Sequence, residues 1–264
     1  MERWENLHSD ILVQVFAKVD TKTLITSVLF VCKSWFTASS NPGCWKNLDF
    51  QSLSTCIQKS DVTKLMQSTI CRSNGNVSSI VLPKRFDCEA VSDLLAGFLA
   101  LKSLAFRVVP YGFMEEMGSR SILRNMMNLE ELELGYCNPE NLRKMLMEIG
   151  FHCKKFVSLT ISPDTDRYIS MSDALAIVEL VPEIKYLNLR RCRLPRENLV
   201  VIIKGCDYLV RLDVRDCVGF EAADNEILKM ASFIKGFMPQ GSTINKSKRI
   251  MEYKHCYTYT HYCL

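Results

Sequence analysis

Side chains able to do bond-making chemistry are few in this chain, and their spacing argues against catalysis. Histidine occurs four times in 264 residues, at positions 8, 152, 255 and 261. That is little material for general acid–base work. The strings GxGxxG, GxxxxGK, HExxH and GxSxG are all absent, so no phosphate cradle, zinc-protease helix or nucleophile elbow is written here. Twelve cysteines run along the whole chain without one CxxC pair, which speaks against a zinc framework. His255, Cys256, His261 and Cys263 gather near the C-terminus, at spacings that match no tetrahedral ligand pattern. The thiols are expected to be reduced and to act as small buried hydrophobes. No catalytic residue, metal or cofactor is expected.

Charge recognition is the other chemistry on offer. Arg190, Arg211 and Arg215, with Tyr186, Glu131 and Glu133, fall at odd positions of a repeated apolar pattern. On neighbouring strands about 5 Å apart the arginines would form an anion-binding patch. The alternative is a solvated face in which Asp213 pairs with its neighbours. The formal net charge of +4 makes no case for nucleic acid as a partner.

These residues must be held by something, and the chain's periodicity says what. Apolar residues at relative positions 1, 4 and 6 recur as Val77-Ile80-Leu82, Leu101-Leu104-Phe106, Leu129-Leu132-Leu134, Phe156-Leu159-Ile161, Ile184-Leu187-Leu189 and Leu209-Leu212-Val214. Their starts lie 24, 28, 27, 28 and 25 residues apart, and Trp45-Leu48-Phe50 fits 32 residues earlier. Positions 4 and 6 share one face of a strand, while position 5, filled by Glu133, Thr160, Asn188 and Asp213, faces the other way. Between the strands lie helical stripes: Leu142/Met145/Leu146/Ile149, Leu175/Ile177/Val178/Val181, Leu199/Ile202/Ile203 after Pro195, and Ile227/Leu228/Met230/Ala231/Ile234. No such unit buries its apolar face alone, so the units must stack. Position 9 is Cys137, Cys192 and Cys217 in three of them, a small weak donor for the turn leaving the strand; Val109 and Asp164 stand there in two looser units.

Residues 1 to 44 lie outside the period. Leu7, Ile11, Leu12, Val15, Phe16 and Val19 share one helical face, with Ser9 or Asp10 as cap, and Leu24, Val28, Val31, Cys32 and Trp35 form a second apolar cluster. Asn41-Pro42-Gly43 is a turn. About 40 residues make a poor independent core, so apolar side chains should remain for a partner.

LHSDILVQVFAKVDTKTLITSVLFVCKSWFTASSNPGCWKNL resembles an F-box, with Leu7, Ile11, Leu12, Val15, Phe16, Leu24, Val31, Cys32, Lys33, Trp35 and Trp45 at the motif positions. His8, Phe36 and Cys44 depart from the usual Pro, Arg and Leu. With the repeats, the whole is similar to plant F-box/leucine-rich-repeat proteins. The resemblance implies an α/β chain: a three-helix F-box over 1–48, a right-handed solenoid of about seven repeats over 45–238 with a parallel concave sheet and outer helices, and an atypical, poorly ordered tail over 239–264. It implies a non-catalytic substrate receptor of a Skp–cullin–F-box ubiquitin ligase in the nucleus and/or cytoplasm. Leu7, Ile11, Leu12, Val15, Phe16, Leu24, Val31, Cys32, Trp35 and Trp45 would meet a Skp-type adaptor. Glu131, Glu133, Tyr186, Arg190, Arg211 and Arg215 would meet an unknown protein substrate. A scaffold or small-anion sensor on the same adaptor is the alternative. No secretory leader or membrane span is expected. Lys246 to Arg249 is a charge run that would serve as a localisation signal or a solvated segment.

Overall fold

The computed structural model of the protein describes residues 7–55, 59–109, 113, 122–136, 139–161 and 167–244. The apolar period becomes a ladder of short parallel strands: β1 (Asn47–Asp49), β2 (Ser79–Leu82), β3 (Ser103–Val108), β4 (Glu131–Tyr136), β5 (Ser158–Ile161), β6 (Tyr186–Asn188), β7 (Arg211–Asp213) and β8 (Gly236–Met238). They form one sheet in chain order. Register pairs like with like: Leu48, Ile80, Leu104, Leu132, Leu159, Leu187, Leu212 and Phe237 lie side by side. Phe50, Leu82, Phe106, Leu134, Ile161, Leu189 and Val214 add a second buried row. A one-residue slip would turn both rows to solvent, so burial itself holds the register.

Across the core lie the outer helices α4 (Lys59–Ser73), α5 (Cys88–Ala96), α6 (Ile122–Asn125), α7 (Pro139–His152), α8 (Met171–Leu180), α9 (Arg196–Gly205) and α10 (Asn225–Met230). Several starts are capped by side chains. Asp87 accepts from the Ala90 amide at 3.1 Å, Asp224 from Glu226 and Ile227, and Ser170 with Asp173 makes a reciprocal capping box. Leu142, Met145, Leu146 and Ile149 are buried on α7, as are Leu199, Ile202 and Ile203 on α9. Leu175, expected in the α8 stripe, is exposed instead. It sits two residues from buried Ile177, which is the far side of a helix.

An eighth strand adds one unit to the seven read from the period. Ile234, Phe237 and Pro239 occupy positions 1, 4 and 6, starting 25 residues after Leu209. The proline at position 6 hides the pattern, and Ile234 reads as part of the last helix. That helix stops at Met230, followed by a single 3₁₀ turn over Ala231–Phe233. Residues past β8 still pair, since the Asp216 amide donates to the Gln240 carbonyl and the Gly219 amide to Thr243, each at 2.9 Å. Residues 245–264 lie outside the described residues, and with them the Lys246–Arg249 run and His255, Cys256, His261 and Cys263.

The turn leaving each late strand is uniform. Position 8 has positive φ in three successive repeats: Arg191 (63°), Asp216 (61°) and Gly241 (77°). Two of these are not glycine, a strained choice that neighbours must hold in place. Position 9 supplies part of the holding. The Cys217 thiol donates to the Leu189 carbonyl at 3.1 Å, and Ser242 repeats the contact one unit later, donating to Val214 at 2.6 Å and accepting from the Cys217 amide at 3.0 Å. Burial pushes the Cys217 thiol up to about 12, so it keeps the proton it donates. Cys137 and Asp164 lie outside the described residues.

Candidate functional site: an apolar N-terminal face and a concave sheet

Short helices build the N-terminal module: α1 (Ser9–Phe16), α2 (Thr21–Thr26), a 3₁₀ turn over Val28–Phe30, α3 (Lys33–Ser39) and a 3₁₀ turn over Pro42–Trp45. The residue capping α1 is His8, rather than Ser9 or Asp10, which both lie inside the helix. Asp20 caps α2 by accepting from the Thr23 amide at 2.9 Å, and that bond holds its carboxyl below the usual range. Asn41 accepts from the Gly43 amide at 2.8 Å to set the last turn.

The interior of this module is small. Leu12, Phe16, Leu24, Val28, Ala38, Cys44 and Trp45 are buried. Trp35 is partly buried and meets Phe16 edge-on, with ring centroids 5.1 Å apart. The Trp45 indole is fully buried and donates to the Ser39 carbonyl at 2.7 Å. Of the ten residues expected to meet an adaptor, Leu12, Phe16, Leu24 and Trp45 therefore face inward: they hold the helices together and present almost no area to a partner. Leu7, Cys32 and Trp35 are partly buried, while Ile11, Val15 and Val31 are exposed.

Two large exposed residues lie outside the ten expected adaptor positions. Phe30 is 77% exposed and Phe36 49%. Phe30 lies two residues past buried Val28, off the helical period, because the chain passes through a 3₁₀ turn there. The five-residue apolar run from Val28 to Cys32 was the available signal, since no single helix face buries five successive residues. Shallow depressions flank α3. One is lined by Leu29, Phe30, Cys32, Lys33, Phe36 and Thr37, and the other by Leu7, Ser9, Leu12, Lys33, Ser34 and Thr37. An exposed apolar surface on so small a module is what a partner helix would cover.

The module is joined directly to the solenoid. Thr21 is buried and its hydroxyl accepts from the Asp49 amide at the end of β1, at 2.8 Å. Arg72 of α4 lies over two rings at once, 5.9 Å from the Phe36 centroid and 5.7 Å from Trp45.

On the concave face, position 3 forms the row Asn47, Ser79, Ser103, Glu131, Ser158, Tyr186, Arg211 and Gly236. Position 5 forms a parallel row ending in Asn188, Asp213 and Met238. The expected three-arginine patch is not present as such. Arg190 donates to Asp216 at 3.2 Å, and Arg215 grips Asp213 through two bonds of 2.6 and 2.9 Å. Burial pushes the Asp213 carboxyl up, but the Arg215 hydrogen bonds outweigh it and hold it below the usual range. Glu133 is likewise taken, by Arg107 at 3.0 Å. Arg211 alone of the three reaches outward, making a 4.0 Å approach to the Met238 sulfur among the described residues. Glu131 and Tyr186 are exposed. Among the described residues no cluster of His, Cys, Asp and Glu has the arrangement to hold a metal, and no helix is long and apolar enough to cross a membrane.

A family profile described as F-box-like matches residues 4–51. The chain is 27% identical over 234 residues to F-box protein FBW2 of Arabidopsis thaliana, covering 86% of this chain and 71% of that protein. It is 24% identical over 279 residues to F-box/LRR-repeat protein At3g48880 of the same plant, covering 97% and 86%. A further Arabidopsis F-box/leucine-rich-repeat relative is 25% identical, and the chain spans 49% of its length. Among solved structures, a chain from the crystal structure of the Rad7 and Elc1 complex in yeast superposes with a TM-score of 0.47 at 13% identity, covering 85% of this chain and 59% of that one.

Proposed function

We propose that this chain, an F-box/leucine-rich-repeat protein, is the substrate-recognition subunit of a Skp–cullin–F-box ubiquitin ligase. The N-terminal apolar face docks on a Skp-type adaptor, and the concave sheet holds a target protein. The observation that carries the reading is the exposure of Ile11, Val15, Phe30, Val31 and Phe36 on a module of about forty residues matched to the F-box. Apolar anchors at that density are costly to leave in water unless a partner covers them.

On this reading the mechanism is proximity. A target held on the sheet is presented to a charged ubiquitin-conjugating enzyme at high effective concentration, and the chain supplies no reacting group. The direct joint through Thr21, Arg72 and Trp45 supports it, because a fixed distance between adaptor and target favours transfer. Such a complex works in the nucleus or cytoplasm, where this reading expects the chain. The small-anion alternative is weakened by the carboxylates already seated on Arg190 and Arg215.

Capture on an immobilised Skp-type adaptor tests the proposal. Wild type is retained, while Phe30→Asp and Val31→Asp are lost with their thermal melts unchanged. Equal retention of both variants would refute the adaptor surface. Leu12→Asp is unsuitable for this test, since buried Leu12 would unfold the module.

A further inference from the structure

The position-3 row crosses the whole concave face, and its charges are distributed unevenly. Glu131 on β4 and Arg211 on β7 are the only ionic side chains in the row, and both are exposed. Ser158 and half-exposed Tyr186 lie between them. Most neighbouring arginines and acids at positions 5, 7 and 8 are tied to one another: Arg107 to Glu133, Arg190 to Asp216, and Arg215 to Asp213. Exposed Arg191, in the turn at position 8, and Asp49, at position 5 on β1, stand outside these pairs. These pairs cancel at contact distance, which leaves Glu131 and Arg211 as the row's two unbalanced charges. Gly236 completes the arrangement, since a Cβ there would stand 3.2 Å from the Arg211 side chain.

We infer that the concave face takes an extended polypeptide segment laid across the strands, with a basic residue against Glu131, nearer the F-box, and an acidic residue against Arg211, nearer the C-terminus. This rests on the receptor reading above and deepens it. Three strand intervals of ~4.8 Å separate the two charges by roughly 14 Å, which an extended chain at ~3.3 Å per residue spans in about four residues. Between the charges the segment meets serine and the flat Tyr186 ring, which favours small or aromatic side chains over long charged ones. The partner's polarity is thereby oriented relative to the ligase, because opposite charges fix register more than they add affinity.

The test uses the full chain bound to its Skp-type adaptor and a synthetic peptide library. One Lys or Arg and one Asp or Glu are placed at separations of two to eight residues, in both orders, in a Ser/Ala/Tyr background, with all-acidic, all-basic and neutral sets alongside. Enrichment of mixed-charge peptides at separations of four or five is expected. Glu131→Arg or Arg211→Glu should each lower retention about tenfold, and the double exchange should invert which order is enriched. Peptides that bind, lose binding on Tyr186→Ala, yet ignore the charge exchanges would overturn the inference and leave the receptor reading standing. Retention of no peptide by an adaptor-bound complex would overturn the inference together with the concave-face reading. Failure to bind the adaptor registers separately, in the capture step.

Discussion

The N-terminal module and the solenoid differ in how densely they leave apolar side chains in water, although the solenoid too exposes Leu99 and Phe151 on its outer side. In the solenoid, nearly every residue at positions 4 and 6 is buried, and the concave arginines are mostly neutralised by neighbouring carboxylates. In the module, five large apolar residues remain in water within about thirty positions. The contrast follows from geometry. A stacked array closes its core through the next repeat, so each unit borrows a neighbour's surface. A forty-residue helical cluster has such a neighbour only along the side that holds Thr21, Phe36 and Trp45, and it is too small to bury the rest of its apolar surface by itself.

The largest effect should come from breaking the array. Leu187→Ala empties a fully buried site within the leucine ladder and should cost roughly 2–5 kcal/mol, read as a fall in melting temperature. A change below about 1 kcal/mol would mean the strands do not share one packed core. Adaptor contact comes next. Phe30→Asp should lower adaptor affinity at least tenfold, about 2 kcal/mol, since exposed aromatics at an interface carry much of its energy. The same change should move unfolding free energy by no more than about 0.5 kcal/mol. Loss of both together would show that Phe30 is structural, and the contrast between the two regions would fail.

Smaller effects sharpen the joint and the charge pairing. Arg72→Ala removes the cation seated over Phe36 and Trp45 and should cost about 1 kcal/mol, with amide exchange rising first in α1 to α3. Exchange rising equally in β6 to β8 would show that Arg72 does not act at the joint. The pH dependence of Asp213 is smaller still. Its folded carboxyl lies below the ordinary 3.8, so its contribution is present above that value and fades as pH falls through the lower folded one. Asp213→Asn should therefore flatten the melting curve's dependence on pH below about 4 relative to wild type. Parallel slopes would place the acid sensitivity elsewhere, with Asp224 as the next group to test.

Much of the solenoid was readable in advance because its signal is additive. Position 4 alone recurs as leucine or isoleucine from Leu48 to Leu212, and each recurrence supports the others. The Cys217 contact with the Leu189 carbonyl was legible in kind, since a small donor at a fixed offset has few other uses there. Where a repeat degenerates the signal fails, as with Ile234-Phe237-Pro239, whose proline masks a strand that the preceding repeat still pairs. Exposure within the module was less legible. Ile11 and Leu12 are adjacent, both apolar and both at F-box positions, yet one faces water and the other the core. A helical wheel places them about 100° apart, but which side is inward depends on where α3 packs.

By itself the order of residues determined the chain's two-part character, the parallel stacking of its repeats and its scarcity of histidine, because these depend on period and residue type along one dimension. Only the tertiary structure decided which apolar residues are left for a partner and which charges are still free. Arg190, Arg211 and Arg215 look alike in the sequence, and the difference between them is a carboxylate brought within 3.2 Å of Arg190 and of Arg215 but not of Arg211. Availability for binding is what remains after a fold has satisfied itself, and that remainder is a property of three-dimensional neighbours.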